Sequence, residues 1–188
     1  VRRLPVGPDG SLDLQRLADA CDARTRIVSL SWVAYANGWR HDLDELAEVV
    51  HERGALLFID GIQGLGVFPL DVRRTPIDFL AADGHKWMLG PEGAALFYCR
   101  REHLDLLRPL GVGWNSVVHE HDFTRIEPVW KASAARYEGG SANCAGQIAL
   151  AASLELLASF GFEATAARVL EFTDLACERL SAVGAQIL

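Results

Sequence analysis

Hydrophobic positions along the chain follow two rhythms, one helical and one made of short unbroken runs. After the turn Pro8-Asp9-Gly10, Leu14, Leu17, Ala18 and Cys21 recur at helical spacing, and the run Ile27 to Leu30 that follows suits a buried strand. Asp42 stands three residues before Glu45 as a capping box, and Leu43, Leu46, Ala47 and Val50 make one apolar helical face that Gly54 ends. Ala55 to Ile59 then reads as a fully buried strand, and Ile77 to Ala82 and Ala94 to Tyr98 as two more, flanking a turn punctuated by glycine and proline. Arg108 to Ser133 sustains no period, which predicts a long loop. From Ala145 to Leu180 the pattern is helical: Ile148, Ala151, Ala152, Leu154 and Leu157 mark a first segment, a break falls near Gly161, and Val169, Leu170, Phe172 and Leu175 mark a second.

Helices alternating with continuous apolar strands predict an α/β architecture with a mainly parallel sheet, whose ligands sit at the carboxyl ends of the strands. With half of its 188 residues hydrophobic, the chain has enough apolar surface to bury a proper core. Its net charge of -7 arises from 25 acidic against 18 basic residues, and the basic residues cluster no further than pairs such as Arg73-Arg74, which argues against a nucleic-acid partner. Apolar runs fall well short of the roughly 18 residues of a membrane span, so a soluble, cytoplasmic protein is expected. Cys21, Cys99, Cys144 and Cys177 have no C-x-x-C spacing and read as buried free thiols rather than a disulfide framework or a zinc site. The chain opens on Val1, and Ala185 to Leu188 read as a strand just beginning, so an excerpt of a longer protein is expected.

Chemistry concentrates at two predicted strand ends. The strand Ala55 to Ile59 runs into Asp60-Gly61-Ile62-Gln63, and the next leads to Asp83-Gly84-His85-Lys86-Trp87. A lysine after a glycine turn suits a Schiff base with an aldehyde cofactor, because its amine must be neutral to attack and a buried or cation-rich site favours that form. A carboxylate such as Asp60 would keep a pyridine nitrogen protonated and make the ring an electron sink for a carbanion at a substrate's alpha carbon.

Asp60-x-x-Gln63, then Gly84-His85-Lys86 and Gly90-Pro91-x-Gly93, resembles the class V aminotransferase group of fold-type I pyridoxal-phosphate enzymes, which includes cysteine desulfurases. The segment Arg136-Tyr137-Glu138-Gly139-Gly140-Ser141-Ala142-Asn143 is similar to that group's Arg-Phe-Glu-x-Gly-Thr-Pro-Asn. The resemblance covers essentially the whole chain. It implies a three-layer α/β/α large domain over residues 1–160 and the start of a small C-terminal α/β domain over 161–188. It also implies pyridoxal 5′-phosphate as cofactor, held as an internal aldimine by Lys86. By the same resemblance Asp60 pairs with the pyridine nitrogen, Gln63 bonds the phenolic oxygen, His85 binds the phosphate, and Ser141 reaches the phosphate bound in the partner subunit, which implies a homodimer with a shared site. The substrate would be an amino acid and the leading activity that of a class V aminotransferase. Desulfuration of the cysteine desulfurase or selenocysteine lyase type, or epimerisation, shares the same first steps.

Three departures from the group stand out. Asp83 occupies a position where the group often has serine, and a carboxylate facing a phosphate repels it, so Asp83 points away or binds something else. Tyr35, with Asn37 two residues on, falls where many members carry an asparagine near the cofactor, and neither is given that role. The segments that supply the ring-stacking residue and the substrate-carboxylate arginine lie outside the chain. His119-Glu120-His121-Asp122 has metal-ligand chemistry but lacks a third ligand segment, so a polar loop is expected. Trp32, Trp39, Trp87, Trp114 and Trp130 read as core or interface aromatics, with Trp39 and Trp114 as candidates to line a pocket. Against a non-catalytic nucleotide-binding module, Gly61 to Gly66 lacks the third glycine of a G-x-G-x-x-G loop, and intact Asp60, Gln63, His85 and Lys86 argue against a degenerate relative that only binds pyridoxal phosphate.

Overall fold

A computed structural model describes residues 1–187. Four strands form one sheet in the order β1 (Ile27–Ser31), β2 (Leu56–Asp60), β3 (Phe79–Asp83) and β4 (Ala95–Cys99). The first three are parallel and β4 is antiparallel to β3, with Asp83 opposite Ala95. The mainly parallel α/β architecture is therefore present, with each strand within two residues of its expected place.

Before β1 lies the short helix α1 (Leu14–Ala20), and between β1 and β2 lies α2 (Leu43–Glu52). Asp42 caps α2 by accepting from the backbone N–H groups of Asp44 and Glu45, satisfying donors that a helix start leaves free. Leu43, Leu46, Ala47 and Val50 are all buried and share one core with Leu57 and Ile59 of β2. Gly54, with φ 71°, takes the left-handed turn that stops the helix. Burying this helix stripe and the facing strand residues contributes about 1.5 to 3 kcal/mol per large side chain.

β2 departs from the expected full burial. Leu57 and Ile59 are inaccessible while Leu56 and Phe58 are half-buried, because alternate side chains of a strand point to opposite faces and only one face meets α2. Similarly, Ile77 and Asp78 precede β3, which runs from Phe79, and the Asp78 side chain is turned into a buried hydrogen-bond cluster.

Beyond β4 the chain is largely irregular from residue 104 to 133, as the missing period predicts, with a 3-10 turn at Trp114–Ser116 and an isolated bridge between Val117 and Trp130. Two helices follow, α3 (Cys144–Phe160) and α4 (Phe162–Ala182), bent by 77° at Gly161. On α3 the inward positions are Gly146, Leu150 and Leu157; Ile148, one of the residues that mark the helical pattern, is 71% exposed. A sequence so evenly apolar carries no strong directional signal, so packing rather than periodicity decides which side is buried. Among the described residues no single helix is long and apolar enough to cross a membrane. The thiols also differ from expectation. Cys144 is exposed at the first position of α3, and Cys21, Cys99 and Cys177 are half-buried. The expected strand at Ala185 to Leu188 is not formed at 185–187, and Leu188 lies outside the described residues.

Candidate active site

The parallel strands deliver their carboxyl ends to one edge of the sheet. Ser31 and Asp60 end β1 and β2 side by side in register, and Asp83 ends β3 one strand further along. Asp60 is half-buried: Oδ1 accepts from the N–H of Ile62 at 3.0 Å, and Oδ2 lies 3.5 Å from the Ser31 hydroxyl. An ionised carboxylate accepts at about four lone-pair positions, so Oδ2 keeps capacity for a further donor.

Lys86 sits on a tight excursion between β3 and β4. Gly90 N–H donates to the Gly84 carbonyl at 2.8 Å and Leu89 N–H to the Lys86 carbonyl at 3.0 Å, closing the loop on itself. Leu89 takes φ 56°, a left-handed conformation that costs a non-glycine residue about 1 kcal/mol or more. Ser153 of α3 offsets part of that cost by donating to the Leu89 carbonyl at 2.8 Å. The Lys86 ammonium lies 5.5 Å from the centroid of the Tyr35 ring, and among the described residues no carboxylate pairs with it. Tyr35 is 85% exposed, so its ring forms one open wall beside the lysine. Trp87, next in sequence, donates its indole N–H to Gln63 Oε1 at 3.1 Å and so joins the loop after β3 to the turn after β2.

Asp83 does bind something else. Its Oδ2 lies 3.3 Å from His85 Nδ1 and 3.5 Å from the N–H of Gly93, while Oδ1 is buried without a partner. Burial pushes the carboxyl upward, but hydrogen bonds from His85 and the backbone at Gly93 and Gly84 outweigh it and hold the group below the usual carboxylate range. With Nδ1 held by Asp83, Nε2 is the ring nitrogen left for a ligand.

Asp60, Gln63, His85 and Lys86 thus fall on two adjacent turns at one edge of the sheet. Ser141 does not join them. It is exposed, and its hydroxyl has no partner among the described residues. The rest of its segment is structural: buried Arg136 donates to the Lys131 and Leu104 carbonyls and pairs with Asp105, and Tyr137 donates to the Leu104 carbonyl. Asn143 donates to the Gly93 carbonyl while capping α3 at Gly146, which docks the segment against the loop that follows Lys86.

The polar run at 119–122 is engaged locally: His119 with Arg125, Glu120 with Lys131, and Asp122 with Thr124. Of the tryptophans only Trp32 is fully buried. Trp39 and Trp114 do not line the cavity of about 410 Å³ beside Arg108, Trp130 and Arg136, which also excludes Asp60, Gln63 and Lys86. An open crevice at strand ends is shallow until something fills it, so cavity size is a poor guide to this site. Sequence reasoning passed over two residues here. Tyr35 was left without a role and Trp87 was grouped with core aromatics, although an indole N–H beside a polar strand end needs an acceptor.

A half-buried carboxylate at one strand end and, at the next, a lysine with no acidic partner among the described residues stand at the edge where a parallel α/β sheet receives its ligands. The family model for aminotransferase class V matches residues 1–187, and the chain belongs to that family. It is 30% identical over 95% of its length to a probable cysteine desulfurase of Halalkalibacterium halodurans and 31% identical over 96% to a cysteine desulfurase of Haloferax volcanii. It covers 43% and 42% of those proteins, so the chain spans under half the length of the curated relatives it matches. An apo cysteine desulfurase from Thermococcus onnurineus superposes with a TM-score of 0.82 at 26% identity, over 93% of this chain and 42% of that one. The cystine C-S lyase C-DES, in complex with its product cysteine persulfide, superposes with a TM-score of 0.74 at 29% identity, over 82% of this chain and 41% of that one.

Proposed function

We propose that this chain carries the cofactor-binding face of a pyridoxal 5′-phosphate enzyme that acts on an amino acid, with Lys86 as the attachment residue. The observation that carries the reading is the placement of Lys86 on a closed, strained loop beside the Asp60 end of β2, with no acidic partner for its amine among the described residues. The donor set fits the cofactor: a carboxylate with spare acceptor capacity, an amide, an amine and an imidazole with one free nitrogen. When bound, the cofactor supplies an electron sink for charge that develops at the substrate's alpha carbon.

The residues divide the work. Asp60 would keep a proton on the ring nitrogen by accepting from it, Gln63 would donate to the phenolic oxygen, and His85 would meet the phosphate through Nε2 while Asp83 holds Nδ1. Lys86 would hold the cofactor through Nζ and, when free of it, would serve as the general acid/base for the alpha proton. Ser141 reaches the phosphate of a second copy, and its exposure supports that assignment to a homodimer. The bend at Gly161 supports a boundary there, with 1–160 in the large domain and 161–188 opening the next. Four free thiols support a cytoplasmic setting.

Transamination is the leading outcome, and carbon-sulfur cleavage is the second reading, favoured by the desulfurase and C-S lyase relatives. Borohydride reduction of the full-length protein with pyridoxal phosphate, followed by peptide mass analysis, tests the core of the proposal. A pyridoxyl group on Lys86 is expected, and a folded protein without one would sink the enzyme reading. Incubation with cysteine then separates the two outcomes: sulfide release identifies cleavage, and oxo-acid formation without it identifies transamination.

A further inference from the structure

We infer that Trp87 is a positioning residue that fixes the amide of Gln63, so that its NH2 end and not its carbonyl faces the cofactor. The inference rests on the pyridoxal-phosphate reading above and assigns a role to a residue that reading leaves unused. An indole N–H can only donate, so the amide atom 3.1 Å from Trp87 Nε1 is the oxygen. The orientation of a glutamine amide is ordinarily ambiguous, and a partner limited to donation removes the ambiguity. With Oε1 engaged, both Nε2 hydrogens are free to donate, which suits the negatively polarised phenolic oxygen of pyridoxal phosphate. A flipped amide would set two acceptors against each other.

A second contact keeps the two turns in register. Gly66, at φ 94°, brings the turn after β2 so close to the loop after β3 that a Cβ there would stand 2.3 Å from the Trp87 carbonyl oxygen. Only glycine permits that approach. The backbone of Trp87 is thereby seated against the same turn whose amide its indole holds, and Trp87 lies next to Lys86 in the chain. The amide that meets the ring oxygen and the amine that attaches the ring are set by one rigid pair of turns.

The test uses the full-length protein with bound cofactor and reads the spectroscopic pKa of the Lys86-bound chromophore. A donor at the phenolic oxygen favours its deprotonated form, so Trp87→Phe is expected to shift that pKa by about one unit. Cofactor affinity should weaken about tenfold, in keeping with a lost bond to a charged acceptor. In a Gln63→Met background, Trp87→Phe should have no further effect on either quantity. An unchanged pKa in Trp87→Phe, or additive effects in the double variant, overturns the inference. Should Trp87→Phe fail to fold, Gln63→Met decides from the other side. Loss of hydrogen-exchange protection at the Trp87 indole supports the bond and unchanged protection overturns it. A wild-type protein that forms no adduct at Lys86 overturns the cofactor reading itself, and this inference falls with it.

Discussion

Asp78 and Asp83 stand immediately before and at the end of the same strand, and the two carboxylates live differently. Asp78, at the amino end of β3, is 1% exposed and has both carboxylate oxygens engaged. It receives bonds from His51 of α2 at 2.8 Å, His103 at 2.7 Å and the N–H of Leu57 at 2.7 Å, while its own N–H and carbonyl pair with Leu57 and Arg100. Asp83, at the carboxyl end, has one oxygen without a partner and shares the other between an exposed histidine and a long backbone contact. The first ties helix, sheet and the turn after β4 together. The second leaves binding capacity open, as a ligand-binding edge requires. A saturated buried network is a fixture, and an unsaturated polar rim is a site.

The comparison can be broken in graded steps. The largest effect is expected at the open edge from Lys86→Ala, which should abolish borohydride-stable attachment of the cofactor entirely while leaving the urea-unfolding midpoint in place. At the closed edge, Asp78→Ala should cost about 3 kcal/mol of stability at neutral pH, because two imidazoles and a buried N–H lose their shared acceptor. Urea unfolding of the two proteins measures it.

That contribution should also depend on pH. Burial drives the Asp78 carboxyl upward, but the bonds from Leu57, His51 and His103 more than reverse this and hold it below the usual carboxylate range. A carboxyl lowered by folding stabilises fully above its unfolded value of about 4 and loses that contribution as pH falls through the folded one. Urea midpoints of the wild type and Asp78→Ala should therefore converge in acid.

Smaller changes test the rim. Asp83→Ala should leave stability nearly unchanged and weaken cofactor affinity by up to about fivefold, the scale of an exposed pair, because His85 loses the group that aims it. Equilibrium titration with pyridoxal phosphate reads this. Smallest of all, Tyr35→Ala should raise the rate of attachment at fixed pH by no more than about fivefold. The exposed ring stands beside the Lys86 side chain, and removing it clears the approach to the amine.

Much of this was legible beforehand, for identifiable reasons. The α2 cap and apolar face were readable because capping and helical spacing are local rules, and Asp42 and Val50 obey them whatever surrounds them. The placement of Asp60, Gln63, His85 and Lys86 on strand-end turns was legible because each follows a short apolar run that a glycine turn closes. The roles of Asp83, Tyr35 and Trp87 were not, since each depends on a partner distant in sequence or on the shape of a loop: Gly93 for Asp83, Lys86 for Tyr35, Gln63 for Trp87. Asp78 escaped notice altogether, because an aspartate at the head of an apolar run looks like an ordinary turn residue until His51 and His103 arrive from elsewhere. The exposed side of α3 was not readable and the half-buried face of β2 was misjudged for the same reason, as an apolar sequence states that it prefers burial and not what is available to cover it.

By itself, then, the sequence determined the order of helices and strands, the parallel α/β plan and the four residues on the two strand-end turns, because backbone propensity, capping and apolar period act over a few residues. Tertiary structure alone decided which carboxylate is sealed and which is open, which end of the Gln63 amide is free, and what stands beside Lys86. Those properties belong to contacts between segments 10 to 51 residues apart, and only the folded sheet brings such segments within reach of one another.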